Sequence, residues 1–154
     1  MLDFSSCVDF EHAFYEKLER IFELICKDFY KDIDIKNIFL ELLIINAHDM
    51  RELNFNVRGK DEPTDVLSFP CDDMGLGDLA NLALGSVVIC SDMALSASAL
   101  YKHTLQDEIC LLFIHGLLHC LGFDHELDNG AHREMEAQLV KRFNLPDSLI
   151  IRSC

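Results

Sequence analysis

Residues 107–121 read DEICLLFIHGLLHCL, and this stretch decides how the chain folds. It is long enough for about four helical turns and is apolar nearly all round. A helix without a polar face is buried on several sides, so we predict that the domain packs around it. Thr104 and Asp107 match a capping box in outline at its start. Gly122 is placed to end it, because the residue that closes a helix in the left-handed conformation is usually glycine.

The flanking sequence predicts an α+β fold, in which a small mixed β-sheet is packed with helices and the central buried helix lies against it. Ser91 is expected to cap one further helix, and Asp128 or Asn129 to cap the last. The predicted elements are a helix at 9–28, a strand at 38–46, a weaker helix at 48–57, a strand at 63–70, a loop or hairpin at 71–84, a strand at 85–90 and a final helix at 129–143.

Composition predicts one intracellular, cytoplasmic domain over residues 1–154. The chain is 50% hydrophobic, but no apolar run reaches the ~18 residues of a membrane span. The start, MLDFSSCVDF, lacks the basic and apolar segments of a secretion signal. None of the seven cysteines forms a C-x-x-C pair. We therefore expect buried free thiols in a reducing compartment rather than a cysteine metal cluster.

Three histidines lie at the end of the central helix, in HGLLHCLGFDH (115–125). His115 and His119 are about 40° apart around a helix and about 6 Å apart along it, so both can reach one ion. His125 would point elsewhere if the helix continued, but a turn at Gly122 brings it back as a third ligand. Three histidines with an open fourth position are typical of catalytic zinc, so we predict one Zn²⁺ per chain.

The other histidines, His12, His48, His103 and His132, are expected in ordinary surface or helix-end roles. Cys120 would lie about 100° round the helix from His119, so we interpret it as a packing residue rather than a ligand.

The histidine spacing also occurs in metzincin proteases, which need a glutamate directly after the first histidine as general base. Gly116 occupies that position here. This counts against peptide hydrolysis, although a metzincin-like protease or another metal-dependent hydrolase stays as an alternative.

Together with LNFNVRGKDEPTDVLSFP (53–70), the motif HGLLHCLGFDH resembles the YbeY family of metal-dependent endoribonucleases, from about residue 37 to residue 140. The resemblance implies zinc on the three histidines and a functional arginine at Arg58. It implies a single-strand endoribonuclease that matures ribosomal RNA, notably the 3′ end of the small-subunit RNA, and acts in ribosome quality control. Ribosomal RNA or ribosome-bound RNA would be the substrate, and a ribosomal protein or GTPase the candidate partner. The non-enzymatic alternative is a ribosome-associated factor with a structural metal.

Two further positions, Glu108 and Ser86, follow from the resemblance, and Asp124 follows from its place between the turn and His125. Glu108 lies seven residues before His115, on the same helical face, and is predicted to orient a ligand or act through water in catalysis; the alternative is a solvated first-turn glutamate. Asp124 is expected to orient a ligand or cap the turn. Ser86 stands where the family more often has aspartate.

The net charge of −14 disfavours a large phosphate-binding surface. Arg51, Arg58 and Lys60 form a small basic cluster that we expect beside the metal. A ribosomal surface or protein partner would then deliver the RNA.

Overall fold

The structure is a computed structural model that describes residues 1–71, 81–124 and 129–146. The elements in this part of the chain are β1 (Leu2–Ser6), α1 (His12–Phe29), a 3₁₀ turn (Ile35–Asn37), β2 (Ile38–Ile45), α2 (Ala47–Arg58), β3 (Val66–Pro70), β4 (Leu82–Cys90), α3 (Ser91–Leu100), α4 (Leu105–Cys120) and α5 (Ala131–Arg142).

The four described strands form one mixed sheet in the order β1-β2-β4-β3. Strands β1, β2 and β4 run parallel, and β3 pairs antiparallel with β4 at the sheet edge. The prediction of an α+β fold with a small mixed sheet is confirmed.

Helix α4 lies at the centre of the main core, as the apolar pattern predicts. Every residue from Glu108 to Leu118 is buried. Helix α1 and one face of the sheet pack into the same core, while a smaller cluster under α2 lies on the opposite face. Val87 belongs to the first cluster and Val88 to the second, because successive side chains of a strand point to opposite faces.

Both ends of α4 have the predicted local structure. The Thr104 hydroxyl accepts a hydrogen bond from the Asp107 N–H at 3.0 Å. At the other end, Gly122 has a φ of 101°. The N–H groups of Gly122 and Phe123 donate to the carbonyls of His119 and Leu118, both at 3.0 Å. These two bonds form a Schellman motif, which ends the helix at Cys120 and turns the chain.

Three strands differ from the prediction. Strand β3 begins at Val66 rather than residue 63. Strand β1 was not expected, since its five residues alternate too briefly to stand out from a loop; it is held by parallel pairing with β2. Strand β4 begins at Leu82 rather than residue 85, because the register shift between Phe39 and Leu40 lets pairing with β2 continue past Gly85. Residues 72–80 of the predicted loop or hairpin lie outside the described residues.

Two predicted helix caps are wrong. Cys90 occupies the N-cap position of α3, and the Ser91 hydroxyl instead donates to the Ile45 carbonyl at 3.1 Å. Gly130, with a φ of 90°, precedes α5 in place of Asn129, and Asp128 lies outside the described residues. Among the described helices, none is both long and apolar enough to cross a membrane.

Candidate metal centre

Three histidine rings meet between α4 and α5. The ring centroids of His115 and His119 are 4.9 Å apart, as their helical spacing predicts. His132 packs against both rings, with centroid distances of 4.8 Å to His115 and 4.6 Å to His119. One ligand nitrogen from each ring lies within 4.8 Å of the others. Imidazole is a good zinc ligand, so this donor set suits zinc.

His132 lies in the first turn of α5, as a helix-end role predicts, but it is not on the surface. Its side chain is completely buried. The sequence does not reveal this directly, because the helical spacing that pairs His115 with His119 says nothing about a residue on another helix. One sequence signal could have found it: Glu136, another polar residue, lies one turn further along α5 on the same face. His125 lies outside the described residues, so its role as a ligand stays a prediction.

A buried carboxylate lies behind the first histidine. Glu136 Oε2 is 3.4 Å from His115 Nδ1, and Glu136 is fully buried. A carboxylate at this position favours the tautomer with its proton on Nδ1, which leaves Nε2 to bind a metal.

His115 and His119 line a cleft of about 440 Å³ along the edge strand β3. Arg58 reaches this cleft from the end of α2, where Gly59 has a φ of 70° and turns the chain towards β3. The Asn54 side chain donates to the Glu62 carbonyl at 2.7 Å and ties the following segment to α2. The residues that line the cleft are Arg58, Thr64, Asp65, Val66, Leu67, Ser68, Pro70, His115, His119 and Asp124.

The expected basic cluster does not assemble beside the histidines. Arg51 forms two hydrogen bonds with Asp61, at 2.7 Å and 2.9 Å, and lines a different depression. The Asp61 carboxylate neutralises it, and the pairing lowers the pKa of Asp61. Of the three basic residues, Arg58 alone is among the residues that line the described cleft.

Glu108 is brought together with His103 rather than with the cleft. Its Oε2 atom is 2.6 Å from His103 Nε2, and the two side chains are 1% and 7% exposed. The alternative of a solvated first-turn glutamate is therefore wrong. His103 lies next to the start of α4, as a helix-end role predicts, but its side chain is largely buried there.

The structure explains why glycine occupies position 116 and why an aspartate is not needed at Ser86. A Cβ atom on Gly116 would lie 2.6 Å from Val87 Cγ1, so no glutamate fits at the position of the protease base. Ser86 donates to Glu41 Oε1 at 2.9 Å. It lies on the sheet face opposite Val87 and α4, so an aspartate there would point away from the histidines. Cys120 is buried, with its sulfur 3.8 Å from the Ser86 carbonyl, which agrees with a packing role.

Comparisons with known proteins agree with this fold. The sequence model of the family described as endoribonuclease YbeY matches residues 7–144. The endoribonuclease YbeY of Nautilia profundicola is 42% identical over 99% of both chains. That of Sulfurimonas denitrificans is 53% identical over 74% of this chain and 78% of its own. The solution structure of TM1509 from Thermotoga maritima has the same fold, with a TM-score of 0.63 at 24% identity over 93% of this chain and 89% of its own. The chain belongs to the YbeY family of endoribonucleases.

Proposed function

We propose that this protein is a zinc-dependent endoribonuclease that cleaves single-stranded RNA in ribosomal RNA maturation. The observation that carries the proposal is the cleft along β3, which contains both His115 and His119 and the guanidinium-bearing Arg58. Metal-ligating imidazoles beside an arginine can stabilise the negative charge that develops in phosphodiester cleavage, and the curated relatives are named endoribonucleases.

The zinc would be held by His115, His119 and, as the sequence predicts, His125. Bound zinc supplies a Lewis acid for a phosphoryl oxygen and lowers the pKa of a bound water. Glu136 would keep the His115 ring oriented through Nδ1, since a carboxylate behind a ligating histidine fixes its tautomer.

Arg58 is proposed to bind the scissile phosphate. Its guanidinium is always charged and presents a planar fork that matches two phosphate oxygens. It can therefore stabilise the negative charge that grows on those oxygens during cleavage. Asp65 and Asp124 line the same cleft and are carboxylates that can accept the proton of the attacking water or 2′-hydroxyl group.

Glu108 stays a predicted catalytic residue, and its surroundings favour an indirect role. It is buried beside His103 in the first turn of α4, while His115 lies two turns further along the same helix. We propose that the Glu108 carboxylate positions α4 and its histidines rather than touching RNA.

The charge of the molecule bears on how RNA reaches the cleft. With a net charge of −14 and Arg51 already paired with Asp61, the described surface around the cleft offers Arg58 for phosphate. Tight binding of bare RNA needs many such contacts. We therefore propose that the ribosome supplies the substrate, as the 3′ end of the small-subunit RNA, and that a ribosomal protein or GTPase takes part, including in ribosome quality control.

Cleavage of an end-labelled single-stranded RNA with the sequence of the small-subunit 3′ end tests the proposal. We expect cleavage that chelator abolishes and added zinc restores. Arg58→Ala should lower the cleavage rate by about 100-fold to 1,000-fold, the usual loss when one donor to transition-state charge is removed.

Arg51→Ala is the matched control, because it removes the same side chain from the same helix but outside the cleft. Its rate should stay within a few-fold of the wild type. Equal rates for Arg58→Ala and the wild type, or cleavage that chelator leaves unchanged, would contradict the proposal.

A further inference from the structure

We propose that His132 of α5 binds the same metal ion as His115 and His119. This inference deepens the proposed function and rests on its metal site. It adds a ligand from a second helix, so the ion would link α4 to α5. If His125 also binds, a water can still reach the ion as a fifth ligand, because catalytic zinc can expand to five-coordinate.

The positions of the three rings support a shared ion. One ligand nitrogen of each lies within 4.8 Å of the other two. The His132 ring stacks on His115 at an interplanar angle of 25° and meets His119 edge-on at 83°. Two protonated imidazoles this close together would repel each other, whereas neutral imidazoles can direct their lone pairs at one cation.

The packing of α5 against α4 fixes the position of His132. His132, Glu136 and Val140 are four residues apart and buried, so they form one face of α5. Glu136 on this face contacts His115, and Leu139 beside it is part of the main core. The face that carries His132 is therefore docked against α4, and the imidazole has little freedom to turn away.

The donor set distinguishes this site from the other metal-ligand group among the described residues. That group, His48, Asp49 and Glu52, is exposed on α2, and exposed acidic side chains are common without an ion. The α4–α5 group consists of imidazoles and is shielded from water at His115 and His132. Neutral nitrogen donors favour zinc over calcium or magnesium.

Zinc affinity measured by competition with a chromophoric chelator tests the inference. His132→Gln keeps most of the side-chain volume and should weaken zinc binding by more than about 100-fold. This exceeds the 10-fold to 100-fold loss that removal of an outer partner of a ligand causes. His12→Gln is the control, since His12 is exposed on α1 and is not part of the group, and its zinc affinity should equal that of the wild type.

Two further measurements separate a ligand from a neighbour. The visible absorption of the cobalt-substituted protein should change in His132→Gln, because it reports the ligands of the ion. Zinc should also slow amide hydrogen exchange in α5 of the wild type but not of His132→Gln. An unchanged cobalt spectrum, or an affinity loss of less than 100-fold, would overturn the assignment of His132 as a ligand.

If His132→Gln does not fold, the wild type decides the question. In long-range ¹H–¹⁵N spectra, zinc should shift one ring nitrogen of His132 as it shifts those of His115 and His119. Zinc binding with no shift at His132 would overturn this inference and leave the proposed function intact, whereas a wild type that binds no zinc would overturn both.

Discussion

Gly116 sets how closely α4 approaches the sheet. An ideal Cβ atom at this position would lie 2.6 Å from Val87 Cγ1 and 3.1 Å from the Ser68 hydroxyl. Val87 is buried in β4 and β-branched, so its methyl group cannot swing aside. The missing side chain therefore lets α4 lie directly on β3 and β4, which carries His115 to the cleft.

We expect Gly116→Ala to destabilise the protein by about 1 to 2 kcal/mol. In an ordinary helix the change would stabilise by about 1 kcal/mol, but here overpacking against Val87 costs more. The free energy of unfolding in urea measures the effect. In a Val87→Ala background the added methyl group gains space, so the same substitution should become neutral or stabilising. A stabilised Gly116→Ala single variant would rule out the close approach.

At the scale of residues, the sequence predicts the contacts and roles that depend on a single helix or motif. The proximity of His115 and His119 follows from helical geometry, and the absence of a protease base follows from Gly116 alone. The placement of Arg58 in the cleft followed from a resemblance, because no spacing rule links the end of α2 to α4. His132 was missed for the same reason, since its role depends on how α5 packs against α4.

At the scale of elements, the end of α4 directs the chain out of the core. Gly122 adopts a φ of 101°, and an added Cβ atom would meet nothing within 4 Å. Glycine is therefore needed here for its left-handed backbone conformation and not because a side chain would lack space. The backbone bonds of this turn satisfy the His119 and Leu118 carbonyls at the helix end.

We expect Gly122→Ala to lower the free energy of unfolding by about 1 to 2 kcal/mol, the cost of a left-handed conformation for an L-residue. Gly122→Asn should lose less, because asparagine tolerates this region. Chemical denaturation of the two variants measures the difference. Equal losses for alanine and asparagine would show that the backbone strain is not the cause.

Elements with their own strong pattern were predicted well, and those that depend on neighbours were not. Apolar runs in the sequence indicate helix α4 and strand β2. Strand β1 exists through its pairing with β2, and the first residues of β4 join the sheet through a register shift beside Phe39. Ser91 failed as a cap because its hydroxyl bonds to the neighbouring strand, a contact that local sequence does not reveal.

The whole molecule combines an acidic composition with a core that contains thiols. The sequence predicted this arrangement, because most cysteines lie inside apolar runs. Burial raises the pKa of Cys26, Cys110 and Cys120 from 9.0 to about 12 each. The folded protein therefore keeps these thiols protonated at pH values where the unfolded chain ionises them.

Stability should consequently fall in alkaline solution. Because the folded pKa values are raised, the contribution of the thiols is complete below about pH 9 and is lost as the pH rises towards 12. Each thiol should remove roughly 1.4 kcal/mol per pH unit in that window. Urea unfolding of the metal-free, reduced protein at pH 8 and pH 10 measures the loss.

Cys110→Ala removes one such group, so its loss between these pH values should be smaller by about 1.4 kcal/mol. Cys7→Ala removes an exposed thiol and should lose as much as the wild type. If Cys110→Ala lost as much as Cys7→Ala, ionisation of the buried thiol would not be what weakens the fold at high pH.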